Sequence, residues 1–472
     1  MTGNWFSIIV LLMWPLVAVY LYKTMPVANA TVWTILGGTL LLPSEIAIKF
    51  AMIPPLDKNS IPNVCALIGC WLLAPRPEKL KSRSWIVDGL IALYLISPLI
   101  TSALNNDPIV IGDRVLPGVD SYDGISAVLG QLWIFLSFFV GRRYLRKRAD
   151  IETILRALAI AGLLYSIPML FEIRMSPQLS NWIYGYFPSA FTTEARYGGF
   201  RPVVFMRNGL VLAFFTATTF LAAVVLWRTK IRIRRFAPPA VMAYLGVILV
   251  LCKAAGALMY GLVGGLLIAR TRPTFQMRIA VLLVSIGLLY PVLRATDLFP
   301  TTSMLEAIRL IDDERAASLA FRFNQEDMLL ARAQERPMFG WGRYARSRVF
   351  NEWTGGDESV TDGMWIITLG AFGVCGFIAQ FGLLAFPVFR AAPLVRVMSS
   401  ELDQALLAAL ALIVAFTVVE QLPNAWISPW GWLLAGALVG RSELIQTARK
   451  TATFRGVPSG SDRQARLAKA GG

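Results

Sequence analysis

Residues 5–22 read WFSIIVLLMWPLVAVYLY, eighteen positions without a charge. Such a run matches the roughly 20 apolar residues that a helix needs to cross the hydrocarbon core of a bilayer. Similar blocks recur at Trp85 to Ala103 and at Met277 to Leu293. None alternates strictly, so none reads as a barrel strand, and lipid leaves helices as the other way to satisfy every backbone amide. Across 472 residues, 56% are hydrophobic and 16% charged. A soluble domain carries about 25% charged residues. The fold expected is all-α: a polytopic transmembrane helical bundle of about 12–13 spans with one large loop on the non-cytoplasmic side.

Working outward from these blocks, the spans fall at 5–22, 31–50, 61–74, 85–103, 124–141, 151–172, 203–227, 238–253, 255–270, 277–295, 363–388, 404–421 and 425–441. The second and third are the weakest, because Pro43, Glu45, Lys49, Pro54 and Pro55 interrupt that region and the third is short, which leaves one helix as a candidate for a re-entrant or interfacial segment. Ala28-Asn29-Ala30 mimics a signal-peptidase site. The run before it lacks a basic start and has span length, so it reads as a retained helix. Four regions follow: helices over 1–295, a loop over 296–362, helices over 363–441, and a basic tail over 442–472. The tail is rich in Gly and Ser and reads as disordered.

The net charge of +16 is placed in clusters between spans. Arg76 to Arg83, Arg142 to Arg148, Arg228 to Arg235 and Arg270 to Arg278 alternate with loops poorer in base. This is the positive-inside pattern. It puts the clusters and the C-terminus in the cytoplasm and the 296–362 loop outside, and it removes the reason to invoke nucleic acid. The partners expected are membrane lipids. Cys65, Cys70, Cys252 and Cys375 lie in or beside apolar runs without metal-ligand spacing, and there is no histidine. No metal or cofactor is implied.

Within the long loop, Asp313 to Gln334 reads as a helix. Asp312 or Asp313 can cap it, Leu319, Phe323, Leu330 and Ala333 form a broken apolar face, and Pro337 with Gly340-Trp341-Gly342 ends it. The loop is rich in arginine, which an external segment does not owe to topology. Arginine forks onto phosphate, so an outward-facing diphosphate site competes with a plain solvated helix paired to Glu314, Glu326, Asp327 and Glu335. Arg322 stands out because Phe321 and Phe323 flank it. Charges at span ends are functional candidates as well as snorkelling ones. Lys253 and Arg207 both qualify for a lipid phosphate, and Glu420 reads as a counter-ion or a salt-bridge partner. Asp357, Glu358 and Asp362 stand where the loop re-enters the membrane, each able to take a proton from a hydroxyl or simply to face water.

The stretch from about Arg322 to Gly376 resembles the O-antigen ligase/polymerase superfamily of bacterial envelope glycosyltransferases. The resemblance rests on an arginine-bearing helix, on Pro337-Met338-Phe339-Gly340-Trp341-Gly342, and on Asp362-Gly363-Met364-Trp365-Ile366 followed by Gly373-Val374-Cys375-Gly376. Lys253 falls at the family's helix arginine. The resemblance implies inverting, metal-independent transfer of glycan from undecaprenyl diphosphate at the periplasmic face of the inner membrane, which makes the large loop a periplasmic loop. On this carry-over Lys253 and Arg322 bind the diphosphate and Asp362 is the catalytic base; Arg207 joins the diphosphate set on its own reading as a span-end charge. The family's ligases carry histidine at that position of Asp362, so the departure points toward a polymerase, another member that uses a carboxylate, or a protein that has lost this activity, with ligase-type transfer to an acceptor lipid as the alternative. The resemblance also implies an undecaprenyl-diphosphate-linked oligosaccharide as substrate, with a polysaccharide flippase and export proteins as neighbours. A transporter or non-catalytic assembly partner is the rival reading.

Overall fold

The computed structural model describes residues 3–454, apart from 51–52, 77–79, 81, 197, 234 and 311. The protein is an all-α polytopic bundle. Its helices in chain order are α1 Trp5–Thr24, α2 Val27–Leu41, α3 Ser60–Leu73, α4 Trp85–Ala103, α5 Ser121–Tyr144 and α6 Arg148–Met175. The short α7 Leu179–Tyr184 and α8 Phe191–Glu194 precede α9 Gly209–Arg228, α10 Pro238–Leu251, α11 Ala255–Arg270 and α12 Pro273–Ala295. Then come α13 Thr301–Arg309, α14 Asp313–Gln334, α15 Met364–Val395, α16 Glu401–Glu420 and α17 Pro429–Phe454. Eight of these are long and apolar enough to cross a membrane, and α2, α3, α10 and α11 are shorter apolar helices. The first of the eight, α1, contains the opening run, and Asn4 caps it by accepting from the Ser7 amide at 3.0 Å.

Two expected spans and the expected tail need correction. The span at 31–50 is instead α2, which begins after Pro26 and ends at Leu41. Leu42 stands before Pro43, where proline sterics disfavour the helical conformation. The chain then pairs Ile48–Phe50 with Ile53–Leu56 as a short antiparallel hairpin. The span expected from 203 starts at Gly209, because Glu172 on α6 accepts the amides of Val203 and Val204 at 2.8 and 2.7 Å. A helix through 203–208 would forfeit those bonds. In the expected disordered tail, α17 continues to Phe454. The remainder, 455–472, lies outside the described residues.

Glycine sets the closest helix contact. A Cβ at Gly436 of α17 would stand 2.1 Å from the Phe138 carbonyl of α5, and one at Gly440 would stand 2.4 Å from the Arg142 carbonyl. Small residues four apart let two backbones meet in lipid, where dispersion and packing replace the hydrophobic drive. Arg142, buried here, bonds Glu443 of α17 at 2.6 Å and Asp88 of α4 at 2.7 Å, so one cation ties three helices.

The 296–362 segment is folded onto the bundle. Asp312 caps α14 by accepting from the Arg315 amide at 3.2 Å. Arg294, at the end of α12, donates to Glu326 at 3.3 Å, to Asp327 at 2.5 Å and to the Phe323 carbonyl at 3.1 Å. Tyr290 and Trp365 donate to the same Glu326 at 2.8 and 3.3 Å. Burial pushes the Glu326 carboxyl above the usual carboxylate range despite these partners.

Beyond α14, the Pro337–Gly342 turn inserts its backbone into a break in α15. Trp341 and Gly342 amides donate to the Gly370 and Ala371 carbonyls, both at 2.9 Å. In return, the Val374 and Cys375 amides donate to the Pro337 and Met338 carbonyls at 2.8 and 3.1 Å. The break is at Gly373, whose φ of 66° and ψ of −166° suit only glycine. The two sequence motifs behind the family resemblance thus meet as one backbone-to-backbone joint.

Candidate functional site

Most arginines of the loop are consumed in building it. Arg332 and Arg336 stack on Trp341, 3.5 and 4.3 Å from the ring centre. Arg336 also donates to Asn105 at 2.6 Å, and Arg332 to Glu335 at 2.7 Å. Arg346 is fully buried and donates to the carbonyls of Asp107 and Pro117 at 2.6 and 3.0 Å. Arg348 clasps Asp357, and Arg315 pairs with Asp312 at 3.0 Å. For Asp357, burial raises the carboxyl, but the Arg348 bond and charge with the Ser359 bonds outweigh it and leave it below the usual range. That pairing gives Asp357 a structural role and sets it apart from the reacting groups.

Arg322 is different. Together with Arg207, Asp362 and Glu420 it lines a cavity of about 240 Å³ at the loop end of the bundle. Its Nε lies 3.5 Å from Asp362 Oδ2, and both side chains are partly exposed. Arg207 reaches the cavity from the irregular 203–208 segment. It sits 3.9 Å from Glu45 and over the ring of Trp426, 5.9 Å from its centre. The remaining wall is mixed: Leu210, Val211, Phe214 and Phe215 of α9 form an apolar side, and Thr39, Thr218, Thr417 and Ser428 add hydroxyl groups.

Several remote contacts assemble this place. Lys58, itself buried, donates to the Phe205 carbonyl at 2.9 Å, and the Tyr165 hydroxyl oxygen accepts from the Phe205 amide at 3.1 Å. These hold the turn that presents Arg207. The Met364 amide donates to the Gln421 carbonyl at 2.9 Å, which brings the end of the loop beside the end of α16. Asp362 and Glu420 therefore share a cavity although 58 residues separate them in the chain (420 − 362).

Glu420 is the group that sequence reasoning undervalued. It is 8% exposed, accepts from Asn424 at 2.8 Å and from the Tyr260 hydroxyl, and has no ion pair within 4 Å among the described residues. A salt-bridge role does not describe it. Trp426 and Trp430 also line the cavity, and their indole N–H groups have no acceptor among the described residues. A buried N–H needs an acceptor, which water or a bound molecule can supply at this place. The signal available in sequence was the Trp-rich stretch after α16, which reads equally well as an interfacial belt.

Lys253 does not join the group. Its backbone turns left-handed, at φ 52°, between α10 and α11, and its amine donates to the Arg196 carbonyl at 3.2 Å. It is absent from the cavity lining. Of the four residues singled out from sequence, three meet and one stands apart.

The cavity thus offers two guanidinium groups, two indole donors and two carboxylates beside the apolar residues of α9. Such a set holds an anion, and it places a proton acceptor beside it. Compared with known proteins, the chain matches no protein-family model and no curated protein.

Proposed function

We propose that this protein transfers or polymerises a lipid-linked polysaccharide repeat at the periplasmic face of a bacterial inner membrane. The observation that carries the reading is the meeting of Arg207, Arg322 and Asp362 in one cavity whose α9 side is apolar. A diphosphate needs cations, a prenyl chain needs apolar surface, and an acceptor hydroxyl needs a base. All three requirements are met within one site.

In this reaction the acceptor hydroxyl oxygen attacks the anomeric carbon of the donor sugar from the face opposite the diphosphate. The new C–O bond forms as the bond to the diphosphate oxygen breaks, and the electron pair leaves with the diphosphate. Arg207 and Arg322 stabilise the charge that grows there, the type of electrostatic assistance that lowers a barrier most. The hydroxyl proton passes to the Asp362 carboxylate. Inversion at carbon follows from the single displacement. The polymerase reading is preferred to the ligase reading because Asp362 stands where the ligases of the resembled family carry histidine.

Deletion of the gene, followed by gel analysis of undecaprenyl-linked glycan, tests the proposal. A polymerase leaves single repeats and no long polymer, and complementation with Arg322→Ala fails to restore length. Long polymer still attached to its carrier would make the protein a ligase. An unchanged glycan profile would overturn the enzymatic reading in favour of a transporter or assembly partner.

A further inference from the structure

A second large cavity lies at the other end of the bundle and plays no part in the chemistry above. α5 starts beside the loop, where Tyr344 donates to Asp123 at 2.5 Å. Arg143 is 20 residues further along the same helix (143 − 123), and at about 1.5 Å each these span roughly 30 Å, a full hydrocarbon thickness.

Around Arg143, helices α3, α4 and α5 leave a groove of about 840 Å³. Its walls are apolar side chains such as Leu95, Leu132 and Phe139, and its mouth holds Arg83, Arg142, Arg143 and Arg146. Asp88 and Glu443 are the two acids in the lining, so four cations against two carboxylates leave a charge of +2. Those acids are already engaged. Arg83 holds Asp88 at 2.7 Å, and Arg142 holds Asp88 and Glu443 at 2.7 and 2.6 Å.

Arg143 has no carboxylate within 4 Å among the described residues. It is exposed and lies over the rings of Phe139 and Tyr144, 5.8 Å from each centre. A second groove of about 260 Å³, apolar except for Arg143 and Tyr144, runs on over Ile68 and Trp71. The two grooves share Leu67, Phe139 and Arg143, so that one guanidinium stands where two hydrocarbon channels join.

We propose that the joined grooves bind an anionic diacyl phospholipid, with its phosphate on Arg143 and one acyl chain in each groove. The depth of the grooves in the apolar slab selects hydrocarbon, and the uncompensated charge at the junction selects an anion. Basic pockets between spanning helices recognise phospholipid headgroups by this combination. A zwitterionic headgroup brings its own ammonium close to Arg83 and Arg146 and loses much of the attraction.

The test uses the full-length protein purified in neutral detergent, with native mass spectrometry of lipid adducts. Dioleoyl phosphatidylglycerol is compared with dioleoyl phosphatidylcholine on the wild type, on Arg143→Gln and on Arg148→Gln. Arg148 is exposed at the start of α6 and lies outside both grooves, so it reports general surface charge. The wild type is expected to retain phosphatidylglycerol selectively. Arg143→Gln should bind it about fivefold more weakly, the factor given by one basic side chain near the surface, and Arg148→Gln should match the wild type. Equal retention of the two lipids by the wild type overturns the site without reference to any variant. So does an unchanged Arg143→Gln, or a loss in Arg148→Gln as large as that in Arg143→Gln.

Discussion

Replacing Arg294 with Met should unfasten the loop helix from the bundle, and the size of the effect can be worked out from its contacts. Arg294 is 4% exposed and bonds Glu326, Asp327 and the Phe323 carbonyl. The side chain of Asp327 is more than half exposed, so that half of the interaction contributes at most ~1 kcal/mol. Glu326 is well buried, and removing one partner of a buried pair costs about 3–5 kcal/mol. Tyr290 and Trp365 still donate to Glu326, which moderates the loss. A destabilisation of about 2–4 kcal/mol at pH 7.5 follows.

The pH dependence has a definite sign. Burial already raises the Glu326 carboxyl, and loss of the arginine raises it further. A group whose folded pKa is raised contributes stability at low pH and loses it as pH rises through that value. The defect of Arg294→Met should therefore shrink between pH 7.5 and pH 5, where the stranded carboxyl takes up a proton. Adding Glu326→Gln should recover much of the loss at pH 7.5. The assay is unfolding of the purified protein in mixed micelles, with hydrogen exchange across Asp313–Gln334 as the local readout. Stability within about 0.5 kcal/mol of wild type, together with unchanged exchange in α14, would refute the reasoning.

Other outcomes follow from single residues. Gly373→Ala places a Cβ 2.3 Å from the Met338 carbonyl carbon and demands a φ of 66°, so it should cost at least ~2 kcal/mol of stability and loosen the 337–342 turn in limited proteolysis. Lys58 is buried, and desolvation pushes its amine down to about 7. Between that value and the ordinary lysine pKa the unfolded chain binds a proton that the folded chain does not, so stability should rise from pH 7 to pH 9, and Lys58→Met should flatten that slope in the same unfolding assay. Glu420→Gln should lower kcat at least tenfold while KM for the lipid-linked donor changes little, if the buried carboxylate assists proton removal in the cavity; equal activity would leave it a packing residue.

The legible parts of the chain were those whose cause is local. A cap at Asp312, a broken apolar face and a stop at Pro337 lie within one stretch, and α14 runs Asp313–Gln334 between them. The apolar blocks likewise announce α1, α4 and α12. What escaped depends on partners far away in sequence. Glu172 unwinds 203–208 by accepting its amides, and nothing near Val203 signals this.

The loop arginines show the same limit at the site. Arg336 and Arg346 look as free as Arg322 in sequence, yet their acceptors, Asn105 and the Asp107 and Pro117 carbonyls, lie more than 200 positions earlier. Arg322 is distinguished only once those partners are in place. Lys253 shows the converse. Its position near a span end advertised a phosphate ligand, but a left-handed turn directs it to the Arg196 carbonyl.

The most direct test of the central claim is turnover by the purified protein in lipid nanodiscs, supplied with an undecaprenyl-diphosphate-linked repeat unit and analysed for glycan length. Elongated glycan with release of undecaprenyl diphosphate is expected, reduced at least tenfold in Arg322→Ala and in Asp362→Asn. Elongation at the wild-type rate in both variants would contradict the claim.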